Sequence, residues 1–401
     1  MPNGVVPRLL SALTIVLVTV PTLAQLTAAD IAALRQQGQR EGWTFEVGPN
    51  GATDRPLSQL AGAVEPLGWE ATAEFDPSLP ERDFPTAWSW YYAGVTPIRD
   101  QGQCGSCWAF GALGAFECGI RIRGGGSQDL SEQWLVSCTT AGKCSGGWHT
   151  TSFEYLMLNG QQDPCGGSGA VMEASFPYKA SDLPCGCPYT HPYPLHAWAV
   201  VGQPGQIASV EQIKQAVLDH GPVATCVYVN DAFQSYRRGV FNACEDKWIN
   251  HVVVIIGWDD TKGANGAWRI RNSWGAGWGE GGYMWIEYGC SRIGYATCWI
   301  EWDWKDCNGN GIHDRIDVRR GLSADTNHNY IPDECEVLRG DVDCNGVVDF
   351  GDINPFVLAL SNPAAYAQLY PQCLSQNRDI NGDGVCSFDD INPFVELLTS
   401  P

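Results

Sequence analysis

Hydrophobic positions along this chain change period several times, and each change marks an element. Ala109, Leu113, Phe116 and Ile120 recur at i, i+4, i+7 and i+11, and Gly124-Gly125-Gly126 ends the run. That period predicts a helix with Cys107 at its N-terminus. Val252 to Ile256 is a continuous apolar run between His251 and Gly257, the pattern of a buried strand. Gly221 to Val229 predicts a second strand, and Phe233 to Phe241 leads into a third. Ala28 to Arg40 reads as a helix, and Ser131 stands where it can cap one that runs to Cys138. Near the C-terminus Asp-Ile-Asn-Pro-Phe-Val occurs twice, each copy predicting a short helix with proline in its first turn.

One apolar run lies outside this scheme. Arg8 precedes Leu9 to Ala24, and Thr22-Leu23-Ala24 offers small residues before Gln25. This reads as a secretory signal over 1–24, with an uncleaved membrane anchor as the alternative; Pro21 and the shortness of the run count against the anchor. No other stretch is long and apolar enough to span a bilayer. The expected location is therefore secreted, extracellular or cell-surface associated. Export also accounts for 17 cysteines. Setting Cys107 aside as a free nucleophile leaves an even number, compatible with complete pairing into bridges in an oxidising compartment. The 401 residues have room for two or three domains, and a formal charge of −21 argues against nucleic acid as a partner.

Cysteine at a helix N-terminus is a chemical signal. Unpaired N–H groups and the helix dipole favour negative charge there, and thiolate is the nucleophilic form. The surrounding words Gln101-Gly-Gln-Cys-Gly-Ser-Cys107-Trp-Ala-Phe and Leu130-Ser-Glu-Gln-Trp-Leu-Val-Ser-Cys138 are followed by Cys144-Ser-Gly-Gly-Trp148 and Phe176-Pro-Tyr178. Asn250-His251-Val-Val-Val and Arg271-Asn272-Ser-Trp274-Gly follow in turn, with His251 placed 144 positions after Cys107. In this order the motifs resemble a papain-family (cathepsin-like) cysteine protease over about Pro80 to Trp299.

The resemblance implies an α+β fold of two lobes, a helical left lobe and a β-barrel-like right lobe, within 81–303. It implies that Cys107 is the nucleophile, His251 the base, Asn272 the amide that orients the imidazole, and Gln101 a donor to the oxyanion together with the Cys107 N–H. Trp274 would shield the His251–Asn272 bond. Gly146 and Gly147 would let substrate backbone approach the cleft wall, and Trp148, Val252 and Ala296 would line the selectivity pocket. No cofactor is needed for such catalysis, and the substrates would be proteins or peptides. Residues 25–80 would be a short propeptide over the cleft, or an extension that merely packs on the fold; maturation would fall between Phe75 and Phe84. The family's bridges map onto Cys104–Cys144, Cys138–Cys185 (with Cys187 competing) and Cys244–Cys290. His191 and His196 are not adjacent, so the paired histidines of exopeptidase members are missing and an endopeptidase is favoured.

After Trp304 the character changes. Between Trp302 and Pro401 there are 17 acidic residues against 6 basic ones. The calcium-loop pattern of alternating oxygens, with further oxygens at positions 9 and 12, occurs four times. The sets are Asp306, Asn308, Asn310, Asp314 and Asp317; Asp325, Asn327, Asn329, Asp333 and Glu336; Asp341, Asp343, Asn345, Asp349 and Asp352; and Asp379, Asn381, Asp383, Ser387 and Asp390. Each would bind Ca²⁺ structurally. The first two loops, in 304–340, resemble thrombospondin-type calcium repeats. The last two, in 341–401, repeat at an offset of 38 residues and resemble a dockerin module, which implies a cohesin-like or cell-surface partner; a metal-stabilised cap is the plainer alternative. Cys307–Cys335 and Cys344–Cys373 are plausible pairs, with Cys386 left to cross to the protease region or stay free. Two other functions fit the motifs less well: an adhesion or scaffold protein with a silent protease fold, and a thiol acyltransferase.

Overall fold

The computed structural model describes residues 25–77 and 83–302, and beyond them 307, 314–319, 321–325, 331–336, 338–345, 347–371 and 373–399. The signal-like run 1–24 lies outside these residues, as does part of the expected maturation stretch.

The helical lobe is built on α1 (Cys107–Ile122), with α2 (Glu132–Cys138) and α3 (His149–Leu156) against it. Every residue of α1 from Cys107 to Ile120 is buried, so its covered surface is wider than the stripe of Ala109, Leu113, Phe116 and Ile120. Helices and sheet enclose it on all sides. Ser131 accepts from the Trp134 N–H at 3.0 Å, the cap expected for α2.

The other lobe is a 10-stranded sheet. Its central strand, β4 (His251–Asp259), is flanked antiparallel by β2 (Val223–Val227) and β5 (Ala267–Arg271). Outward from β5 come Tyr283–Glu287 and then β3 (Tyr236–Phe241); outward from β2 come β6 (Tyr295–Glu301) and β1 (Ala197–Val201). This pairing path is open: among the described residues no ladder closes it into a ring, a departure from a strict barrel. Gly111 and Gly114 let α1 lie flush on the sheet. A Cβ at either position would come within 2.4 Å of Val252 or Arg271. That close approach puts the Cys107 sulfur against the Val252 backbone, one residue after His251.

Residues 25–77 span both lobes. The helix Ala28–Glu41 is followed by strand Phe45–Val47, which pairs antiparallel with β3 at the sheet edge. The chain then crosses between the lobes at 60–64 and ends in Phe75–Asp76, parallel to β1.

Bridges join Cys104–Cys144, Cys138–Cys185, Cys244–Cys290, Cys307–Cys335 and Cys344–Cys373, with Cys165–Cys187 in addition. Complete pairing is not what the structure shows. Cys118, Cys226 and Cys298 are buried thiols and Cys386 is half-buried and free; the first three fill core space as small apolar side chains do.

In the tail, the predicted helices occur as Ile353–Ser361 and Ile391–Thr399, and the segment between the two loops adds Pro363–Leu369. Val342, Phe356, Tyr366, Ile380 and Phe394 make a small core.

Candidate active site

Folding brings Gln101, Cys107, His251 and Asn272 to the junction of the lobes, and all four are buried. The His251 Nε2–H donates to Asn272 Oδ1 at 2.8 Å. The same oxygen accepts from the Ser273 N–H at 2.8 Å, which fixes the amide's orientation. Trp274 lies 4.8 Å from the imidazole, ring centre to ring centre, and is itself packed edge-on against Trp278. Water is thus kept from the imidazole–amide bond, and Nδ1 is the ring nitrogen that the amide does not engage. Gln101 is held by the Ser273 hydroxyl, which donates to its Oε1 at 2.7 Å. That leaves the Gln101 NH₂ pointing into the cleft, where it donates to the Cys104 carbonyl at 2.8 Å and to the Leu60 carbonyl at 3.0 Å.

The N-terminal segment occupies this cleft with its backbone. The Gly62 N–H donates to Cys107 Sγ at 3.2 Å. The Gly147 N–H donates to Gly62 O, the Val64 N–H to Gly147 O, and the Ala63 N–H to Asn250 O, each at 2.9 Å. Ala63 and Gly147 pair in parallel. Gly62 is pressed so closely that an added Cβ would sit 1.9 Å from the Gly105 carbonyl oxygen. On one side Trp69 meets Trp148 edge-on at 5.4 Å, and Glu65 accepts from the Trp69 indole and the Tyr295 hydroxyl.

Electrostatics follow from this cover. Burial pushes the Cys107 thiol up from 9.0 to about 11, against backbone N–H groups led by Gly62 that pull it down. Burial takes His251 from 6.5 to about 4, with the Asn272 bond and the Leu60 carbonyl opposing. Both shifts favour uncharged partners, so thiol and imidazole are neutral near pH 7 in this covered state.

The other candidates are placed less uniformly. Gly146 and Gly147 border the covered cleft, and the Gly146 Cα lies under Val64, whose Cγ2 would be 2.5 Å from an added Cβ. Trp148 is fully buried behind them. Val252 turns away from the cleft surface onto Gly111 of α1. Ala296 has φ +46°, and its carbonyl is 2.8 Å from Nε2 of His149. His191 pairs with Asp163 at 3.6 Å in the helical lobe, and the His196 N–H donates to the Glu301 carbonyl; neither belongs to the cleft. Sequence reasoning missed Ser273, Gly62 and the buried group His149, Cys226 and Cys298. Ser273 is adjacent to Asn272, so its neighbour could have signalled it; the others have no local motif.

Of the tail ligands, Asp306, Asn308, Asn310, Asn327 and Asn329 lie outside the described residues, as does the Glu336 side chain. Asp314 accepts from the Cys307 N–H, Asp317 is buried, and the Asp333 N–H donates to the carbonyl of Ala324, the residue before Asp325. Asp341, Asp343 and Asp352 bring carboxylate oxygens within 4.8 Å of one another. The Asn345 N–H donates to Asp341, and Asp349 caps the turn that follows through Gly351. The fourth loop repeats these bonds: the Asp383 N–H donates to Asp379, Ser387 caps through Asp389, and Asn381 reaches Asp383. Asp352 and Asp390 each accept from three backbone N–H groups of their own loop.

Comparison with known proteins agrees with the geometry. Residues 84–303 match the papain family cysteine protease family. Ananain of Ananas comosus is 32% identical over 271 residues, 66% of this chain and 74% of that protein. Pro-cathepsin H of Bos taurus is 33% identical over 270 residues, 64% and 76% of the two chains. Among solved structures, digestive procathepsin L2 of Tenebrio molitor superposes with a TM-score of 0.58 at 26% identity, over 69% of this chain and 95% of that one. The recombinant stem bromelain precursor gives 0.56 at 25% identity, over 69% and 89%. The chain therefore belongs to the papain family and is a cysteine-type peptidase, with neighbours that include proenzymes.

Proposed function

We propose that the chain is a secreted papain-like endopeptidase made as a latent precursor, in which Cys107, His251, Asn272 and Gln101 carry peptide hydrolysis. The observation that carries this reading is the backbone of residues 60–64 lying on the thiol and on the Gln101 amide. Once the segment is removed, solvent returns to the cleft and the helix N-terminus favours thiolate facing an imidazolium. The sulfur attacks the peptide carbonyl, and the oxyanion is met by the Gln101 amide and the Cys107 N–H. His251 then gives its proton to the leaving amine. Water, deprotonated by the same ring, releases the acid from the thioester. Asn272 suffices as the orienting group because the charged partner of the imidazolium is the thiolate. Chain continues on both sides of the crossing, so a peptide can extend past the thiol in both directions, as endopeptidase action requires.

Replacing Cys107 with Ser tests the reading. Proteolysis should fall by at least about a hundredfold, and an epoxide inhibitor should cease to label the processed chain. Undiminished hydrolysis by this variant would remove Cys107 as the nucleophile; failure of the epoxide to label Cys107 in the processed parent would favour a scaffold with a silent protease fold, and preferential transfer to added amines would mark an acyltransferase.

For the tail, three convergent carboxylates in the loop at 341–352 are hard oxygen donors that fit Ca²⁺. Asp341, Asp343 and Asp352 would hold the ion, with Asp379, Asp383 and Asp390 as counterparts. Its role there is structural, linking loop to helix. The short side chains of Asp352 and Asp390 already accept backbone N–H groups, which limits bidentate binding. Phe350 and Phe388, Ile353 and Ile391, and Val357 and Val395 are exposed in matched pairs. This duplicated apolar face supports attachment to a protein partner.

A further inference from the structure

The donors proposed above for the oxyanion lie at the two ends of one segment, Gln101 at its start and the Cys107 N–H at its end. Such a loop, tightened by the Cys104–Cys144 bridge in its middle, still needs its ends held at a fixed spacing. Tyr178, 71 positions beyond Cys107 in sequence, contacts Gln101 at one end and Ser106, the residue before Cys107, at the other. Its hydroxyl donates to the Gln101 carbonyl at 2.8 Å and lies 2.6 Å from Ser106 Oγ.

Proton counting sets the direction of this chain. A carbonyl only accepts, so the single phenolic hydrogen belongs to Gln101 O, and Ser106 must donate to the phenol. The Cys104 carbonyl, 3.4 Å from Ser106 Oγ, is instead served at 2.8 Å by the Gln101 amide. The Ser273 hydroxyl donates to Gln101 Oε1, which turns the NH₂ toward the cleft. Phe110, one turn into α1, packs edge-on against the Tyr178 ring at 4.9 Å. Burial pushes the phenol's pKa upward, so the hydrogen stays on oxygen at any pH where the enzyme works.

We propose that Tyr178 is a positioning residue that clamps Gln101 and Ser106–Cys107 at the spacing needed to receive the tetrahedral oxygen. It touches no reacting atom. It acts through the two donors, and the inference rests on the proposed roles of Gln101 and Cys107.

The test uses the full chain after activation, with working sites counted by an irreversible epoxide. Tyr178→Phe should lower kcat about tenfold with KM little changed, a fraction of the loss caused by deleting an oxyanion donor outright. It should weaken a reversible peptide aldehyde, whose adduct places an oxygen in the same position, by a similar factor. Alkylation of Cys107 by iodoacetamide, which develops no such oxygen, should keep its rate and pH profile. Ser106→Ala should reproduce part of the loss, and the double variant should be no worse than Tyr178→Phe alone. Unchanged kcat and aldehyde affinity would overturn the clamp, and so would a parallel fall in alkylation rate, which would mark a merely structural residue. Gln101→Ala separates this from the underlying reading. If that variant keeps full activity, the oxyanion assignment itself fails; if it loses activity while Tyr178→Phe does not, only the clamp fails.

Discussion

At the residue scale, latency comes from small groups. Gly62 can lie over the thiol because it has no side chain, and the 1.9 Å clearance to the Gly105 oxygen is too short for any other residue. Gly62→Ala should displace the crossing, so that uncleaved chain hydrolyses a short fluorogenic peptide at least about tenfold faster than the parent. Unaltered latency would contradict the assigned role. Histidines report the same burial. His149 falls from 6.5 to about 4, chiefly through desolvation. The unfolded chain takes up that proton near 6.5 and the folded chain only near 4, so stability is undiminished above this window and is lost as pH drops through it. Buried Glu117 and Glu132 are shifted upward, mainly by desolvation, and act in the opposite sense. A difference measurement isolates the histidine. In His149→Gln the unfolding midpoint should fall less between about pH 7.5 and about pH 4.5 than in the parent; an equal fall would remove His149 as a cause.

Elements show what sequence could and could not disclose. Cys107 at a helix start and His251 at a strand start were legible because each is announced by its own hydrophobic period. The approach of their two elements depends on Gly111 and Gly114, whose missing side chains let the helix lie flush on the sheet. The strand Phe45–Val47 was not legible. It is three residues long and exists because β3 offers an edge and Phe241 offers a ring 4.7 Å from Phe45. Phe45→Ala should loosen this edge by about 3 kcal/mol and speed self-processing of the precursor, followed by the appearance of the shorter chain on a gel. An unchanged rate would show that the crossing at 60–64 holds the segment without help. Tyr178 and the group at His149, Cys226 and Cys298 were hidden for the same reason: each joins positions far apart in sequence, with no spacing rule to connect them.

At the scale of the whole molecule, a covered protease region carries an acidic tail with its own small core. The four-loop pattern was legible as repetition, and the third and fourth loops fold alike, down to backbone bonds on Asp352 and Asp390. With Ca²⁺ bound, the tail should melt as a transition that a chelator lowers by several degrees while the protease transition stays in place. Calorimetry showing no dependence on calcium would remove the metal from the tail. Covering and uncovering of the cleft is the property on which activity turns, and the reactivity of Cys107 reads it directly. Iodoacetamide should alkylate Cys107 in the uncleaved precursor very slowly near neutral pH, with the rate rising only toward the thiol's value of about 11. After removal of residues 25–77 the same sulfur should react quickly across the neutral range. Equal rates and equal pH profiles in the two forms would contradict a thiol held neutral by its own N-terminal segment.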